Sequence, residues 1–477
     1  MKDYFKEFES LKHNFQNVIF PEQEFFFDYK SLKEWFKIKK CFKDNVLIVY
    51  DGVYKNHHCL EPKELLDFFL KDLFPCSNVI ILRDVLHTQS NINASQNNLN
   101  VLKTILKSKG QYEYIIGLGS GVLIDLLKHA CYESKTKAKL ISIPTALSVS
   151  AYTSKISIIS KDGLKESLDS RLPDAILWIA PLLQAAPLEF TQAGFGDIVC
   201  IPYAQSDWLL SSIIGFQNFS PKYIEIFSRY KESLSAYAPE YSKSPPSFDA
   251  INFLSFMVSL GGVFMTSAGG SWPVSGYEHA ISHALDFVKD LTLRRKVLHG
   301  QQVALGTYSS ACLFDWFLSP MPKREYRPLF ERKALRKFLQ SLLRSFPLFD
   351  KKSINSPQKD KENSFTHLQD TLFKKIPSLE SRYMEKQALW QSFRASNKDE
   401  DLNKVKRTIK DFIFNRYELQ RILNDASLPL IAEETKPQTL CYEYRWALRF
   451  APFIRTRFCL GDLVFWMGED PCYVLGL

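Results

Sequence analysis

Five short, continuous apolar runs in the first 180 residues limit the architectures open to this 477-residue chain. They are NVLIVYD (45–51), NVIILRD (78–84), YEYIIGL (112–118), AKLISIP (138–144) and DAILWIA (174–180). Between the early ones lie EPKELLDFFLKDLF (61–74) and SQNNLNVLKTILKS (95–108), whose apolar residues recur with the period of a helix. A strand that is apolar on both faces must be covered on both faces. Helical connections between such strands produce a parallel sheet. The first 180 residues are therefore expected to form an α/β domain, with any ligand outside the carboxyl ends of its strands.

One of those ends carries GLGSGVLIDLLKHACYE (117–133). Gly117, Gly119 and Gly121 follow a strand and precede a helix, so this loop is expected to cradle a pyrophosphate. Glycine allows close backbone approach, and a helix start supplies amides and positive potential. Asp125, one turn into the helix, joins this candidate set. A plain tight turn between strand and helix explains the same residues. Asp51, at the tip of an earlier strand, is a candidate for ribose hydroxyls and equally a solvated strand-end acid. The next strand runs into ISIPTALSVSAYTSKISII (141–159), where Thr145, Ser148, Ser150, Thr153 and Ser154 crowd hydroxyls beyond Pro144. These either face the nicotinamide end of a dinucleotide or satisfy local backbone amides.

From 181 onward the periodicity turns helical, so 181–477 is expected to be a helical domain. PLLQAAPLEFTQAGFGDIVCIPYAQSDWLLSSIIG (181–215) reads as a long helical run broken at Gly194 and Gly196. A carboxylate buried in such a run, Asp197, needs a partner, and a divalent cation would supply one. Three histidines fall within SGYEHAISHALDFVKDLTLRRKVLHG (275–300). His279 and His283 are four apart and share a helix face, and His299 arrives on the next segment. Converging imidazoles suit a transition metal, with Asp197 as the third ligand and one position left open. Ordinary helix histidines give the same spacing. Arg294, Arg295 and Lys296 read as a substrate-phosphate site or as a solvated face. The segment 237–249 reads as an exposed loop, and 253–276, apolar with small residues, as a centrally packed stretch. A polar, charged stretch around 349–402 reads as a surface insertion, and 442–469 as a terminal helix pair.

Composition narrows the functions. Lys and Arg exceed Asp and Glu by only 61 − 52 = 9, without a dense basic block, which argues against nucleic acid. The nine cysteines are scattered singly, as expected for reduced thiols in a cytoplasmic protein. The first residues lack an apolar signal core, and no run reads as a membrane span.

Taken together, these pieces resemble the sn-glycerol-1-phosphate dehydrogenases and the wider group of glycerol dehydrogenases, metal-dependent alcohol dehydrogenases and dehydroquinate synthases. GLGSGVLIDLLKHA resembles their dinucleotide loop, and ISIPTALSVSAYTS their P-T-x-x-S-x-D-x-x-x-S segment. SGYEHAISHALD is similar to S-G-x-E-H-x-x-S-H, and VLHGQQVALGT to L-H-G-x-x-V-x-x-G. QAGFGDIV followed by SDWLLS resembles the stretch delivering an aspartate ligand, and ALRFAPFIRTRFCLGDLVFWMG the family's C-terminal end. The resemblance implies a dehydroquinate synthase-like fold: an α/β dinucleotide domain followed by an all-α metal-binding domain. It implies that Asp197, His279 and His299 bind a divalent metal (zinc, with nickel or iron in relatives). It further implies that Gly119, Ser120, Gly121, Asp125, Thr145, Ser148 and Ser154 hold NAD(P)H, and that His283 serves substrate or proton transfer. The reaction implied is reversible reduction of dihydroxyacetone phosphate to sn-glycerol 1-phosphate, in a protein compatible with homo-oligomer formation. One departure stands out: Ser150 occupies the place of a motif aspartate near the substrate. It opens a second reading, a dehydrogenase for another polyol or phosphorylated alcohol, or a weakened member with a binding or scaffold role.

Overall fold

The computed structural model describes residues 4–15, 18–39, 45–52, 67, 78–86, 92–108, 112–161, 164–292, 294–319, 331–344, 358–396 and 399–477. Six strands form one sheet: β1 (Glu22–Phe26), β2 (Val46–Tyr50), β3 (Asn78–Ile81), β4 (Tyr114–Gly119), β5 (Lys139–Pro144) and β8 (Ala175–Ile179). Their order is β1-β8-β5-β4-β2-β3 and every pairing is parallel. Alternate residues of each run point to opposite faces. Val46, Ile48, Tyr50, Ile116, Leu118 and Leu177 pack on one face, and Leu47, Val49, Ile115 and Leu140 on the other. Each such side chain contributes about 1.5–3 kcal/mol by leaving water, which is why the strands are apolar throughout.

The five apolar runs all become strands, although 78–84 is strand only to Ile81 and then turns into a short helix, Leu82–Val85. The sheet also gains β1, whose sequence EQEFF carries no apolar run because only Phe26 is buried. An antiparallel hairpin, β6 (Ile156–Lys161) with β7 (Leu164–Asp169), follows β5. The helix expected over 95–108 is present as Gln96–Ser108; the one expected over 61–74 lies outside the described residues apart from Asp67.

The chain divides into two compact units, one of Met1–Ile198 with Ala236–Ser271, the other of Val199–Ser235 with Trp272–Leu477. The first holds the sheet and the helix Phe248–Ala268, which starts at a Ser247 cap accepting from the Ala250 amide and ends at Gly269 with φ 72°. That helix corrects the expectation that no run reaches membrane-spanning length. Its 21 residues do so by length and composition, yet 89% of its apolar window is buried inside the protein. It is a core helix. The segment expected as an exposed loop contains a 3-10 turn, Ala238–Ser242, that buries Tyr241.

The helix Leu188–Val199 runs unbroken through Gly194 and Gly196. A Cβ on Gly194 would lie 1.5 Å from the Leu147 carbonyl oxygen, so this glycine serves close packing and does not end the helix.

Among its described residues the second unit contains helices only, including Ile201–Ile213, Tyr277–Thr292, His299–Leu318, Gln358–Ala395, Cys441–Ile454 and Leu460–Trp466. The polar stretch expected as a surface insertion is helical from Gln358, and it buries Ile376, Leu379, Tyr383, Trp390 and Phe393. Those positions recur every three, four or seven residues, a single stripe along an otherwise polar helix. Lys386, on the same stripe, pairs with buried Asp462 at 2.6 Å and donates to the Pro452 carbonyl.

Candidate functional site

In the α/β unit the glycine loop is built from three strand ends. β4 stops at Gly119, Ser120 turns the chain, and the helix Gly121–Glu133 begins. Asp51, just past β2, accepts from the Ser120 amide at 3.1 Å, and the Thr145 amide donates to the Gly119 carbonyl at 3.1 Å. Asp51 is thus buried against the loop as well as standing at a strand tip. The glycines have a packing reason of their own. A Cβ on Gly121 would lie 2.2 Å from Val149 Cγ2, and one on Gly119 would lie 2.8 Å from Asp51 Oδ2.

Asp125 and Ser154 are engaged within this unit. Asp125 lies 3.0 Å from Lys128 Nζ and accepts from the Ile158 amide. Burial pushes its carboxyl up and pushes the Lys128 amine down from their ordinary values, while their mutual attraction opposes both shifts. Lys128 is fully buried and also donates to the carbonyls of Ala151, Ser154 and Ile156 at 2.6, 3.1 and 3.0 Å. Ser154 Oγ accepts from the Ile156 amide and Thr153 Oγ1 donates to the Ser259 carbonyl. Much of the hydroxyl-rich segment therefore holds its own backbone in place, with Thr145 buried beside the loop and Ser148 half-buried. The sequence did not single out Lys128 as the residue that ties this segment together. Its only signal is a lysine three residues from an aspartate on an otherwise apolar helix.

Ser150 lies against Asp197. Its hydroxyl donates to Asp197 Oδ2 at 2.9 Å and its amide donates to the same oxygen at 3.1 Å, with both residues buried. Where the motif aspartate would set a second carboxylate beside Asp197, serine supplies a donor.

In the helical unit, His279 and His283 lie on Tyr277–Thr292 and His299 opens His299–Leu318. The rings of His279 and His299 are 5.1 Å apart between centroids, and those of His283 and His299 6.3 Å. Glu278 Oε1 sits 2.9 Å from His279 Nδ1, and Ser282 Oγ sits 3.0 Å from His299 Nδ1. Cys200 Sγ lies 3.9 Å from His279 Nδ1, and Cys200, Glu278 and His279 together offer three ligand atoms within 4.8 Å. Sequence reasoning passed over Glu278, Ser282 and Cys200. The first two stand in the motif already quoted, S-G-x-E-H-x-x-S-H, where only the histidines had been given work. Of the basic cluster, Arg294 donates to buried Glu443 at 2.9 Å, while Arg295 and Lys296 are exposed.

Residues 78–187 match the family model for iron-containing alcohol dehydrogenase. The glycerol-1-phosphate dehydrogenase of Thermococcus sibiricus is 29% identical over 57% of this chain and 71% of its own length. That of Methanosarcina acetivorans is 34% identical over 41% of this chain and 52% of its own. Over these stretches the chain is similar in sequence to the glycerol-1-phosphate dehydrogenases. It spans about half the length of the Methanosarcina relative and somewhat over two thirds of the Thermococcus one. A probable glycerol dehydrogenase of known structure, from Sinorhizobium meliloti, aligns over 74% of this chain and 98% of its own at 16% identity and a TM-score of 0.49. The segment matched by the family model carries the glycine loop and Ser150, while Asp197 and the three histidines lie beyond it.

Proposed function

We propose that this chain is a metal-dependent, NAD(P)-linked dehydrogenase that reversibly reduces dihydroxyacetone phosphate to sn-glycerol 1-phosphate. The observation that carries the reading is the pair of imidazoles, His279 and His299, each with a protein partner at Nδ1. A paired, oriented set of neutral nitrogens fits a divalent transition metal, whose histidine ligands usually carry a hydrogen bond on the second ring nitrogen. Asp197 completes the set. Its place in the QAGFGDIV stretch supports that role, and its carboxylate accepts two hydrogen bonds from Ser150. Zinc is the favoured ion.

Gly119, Ser120, Gly121, Thr145 and Ser148 line the dinucleotide, with Asp51 bracing the glycine loop and Asp125 and Ser154 holding the backbone at Ile158 and Ile156. When bound, the cation supplies Lewis-acid polarisation of the substrate oxygen and the nicotinamide supplies the hydride. His283, on the same helix face as His279, holds the proton that the carbinol oxygen needs in the reducing direction. Cytoplasm is the compartment that suits scattered, reduced cysteines. A second reading has its own observation, Ser150 in the place of an acid: an enzyme for another polyol would turn over glycerol or a related alcohol faster than the phosphate. The deciding assay is oxidation of NADH or NADPH by purified, metal-loaded protein given dihydroxyacetone phosphate. Turnover supports the proposal; its absence with both cofactors and metal present rejects it.

A further inference from the structure

The hydrogen bonds behind His299 determine which of its nitrogens carries the proton. Asp286 Oδ1 can only accept, so the atom 3.1 Å from it on Gln302 is the amide nitrogen, Nε2. That orientation turns Gln302 Oε1 toward Ser282, whose hydroxyl donates to it at 2.7 Å. A hydroxyl has one proton to give. With it committed to Gln302, Ser282 Oγ meets His299 Nδ1 at 3.0 Å as an acceptor, so Nδ1 bears the hydrogen. In a neutral imidazole the lone pair then resides on Nε2. Ser282 and Gln302 are fully buried and Asp286 nearly so, which keeps water from offering other partners.

We infer that Asp286, Gln302 and Ser282 form a positioning chain that locks His299 as its Nδ1–H tautomer and presents Nε2 as the ligand atom. Glu278 does the same for His279. Its Oε1 accepts from the Gly276 amide at 2.6 Å and lies 2.9 Å from His279 Nδ1, which donates to it. The two motif letters that each stand just before a histidine, Glu278 and Ser282, thus have a shared task of tautomer control. That Nε2 is offered to a metal rests on the proposed function; the tautomers themselves do not.

Long-range nitrogen–proton correlation spectra of histidine-labelled, metal-free protein test this directly. His299 and His279 are expected to show a protonated-type Nδ1 and an unprotonated-type Nε2. Ser282→Ala removes the acceptor, and Gln302→Leu frees the serine proton to be donated to Nδ1, so Gln302→Leu is expected to switch His299 to Nε2–H. Both variants should lower zinc affinity by about 10- to 100-fold, as for other residues that orient metal ligands, measured by chelator competition on variants whose circular dichroism matches the parent. Nε2–H in the parent, or tautomers unchanged in both variants, would overturn the inference. A thiolate-to-metal charge-transfer band in cobalt-loaded protein would also overturn it for His279, because Cys200 and Glu278 would then share the ion with Nδ1. Correct tautomers in a protein that binds no divalent cation would uphold the chain and defeat the proposed function instead.

Discussion

Ser150 shows how one side chain changes a site without emptying it. Its hydroxyl and amide both donate to one oxygen of Asp197, and with Asp197 as the proposed ligand, donors that fix its carboxylate favour cation binding. Ser150→Ala keeps the amide contact and loses the hydroxyl. Metal affinity is therefore expected to fall about 10-fold, the lower end for such losses, in a chelator titration; an unchanged affinity would separate Ser150 from the site. Burial also decides the chemistry of two thiols. It pushes Cys131 and Cys472 up to about 12, so neither forms thiolate at pH 8. Iodoacetamide should leave both unmodified in the native protein and label them after denaturation, as read by peptide mass spectrometry.

The helices and strands show what was legible in the chain and why. Strands covered on both faces announce themselves as apolar runs, so β2, β4, β5 and β8 could be read directly. β1 could not, because an edge strand with one buried residue has little apolar signature. Gly194 looked like a helix breaker because propensity sees only the local chain, whereas the close approach of Leu147 is a tertiary fact. Gly194→Ala would drive a Cβ to 1.5 Å from a backbone oxygen. It should cost at least about 3 kcal/mol, the upper end for overpacking, in urea unfolding. The helix Gln358–Ala395 was hidden for another reason: its buried stripe is narrow and its remaining surface polar. Lys386→Met leaves Asp462 buried without its cation, so a loss of about 3–5 kcal/mol is expected. An unaltered unfolding midpoint would mean that this helix is dispensable to the unit. The site was partly legible in the same way. Motif histidines stood out by residue type, whereas Ser282 and Gln302 act only through hydrogen bonds that spacing does not reveal.

For the molecule as a whole, a parallel sheet with a glycine loop at a strand end and a unit that is helical over its described residues and carries paired imidazoles suit hydride transfer assisted by a metal. Relatives named glycerol-1-phosphate dehydrogenase supply the substrate to try first. The most direct measurement is a metal titration of chelator-stripped protein, followed at each point by dihydroxyacetone phosphate-dependent oxidation of NAD(P)H. One bound divalent ion per chain should restore turnover, and His299→Ala should abolish both binding and turnover. Full turnover in stripped protein, or tight metal binding that survives the loss of His299, would contradict the proposed metal site.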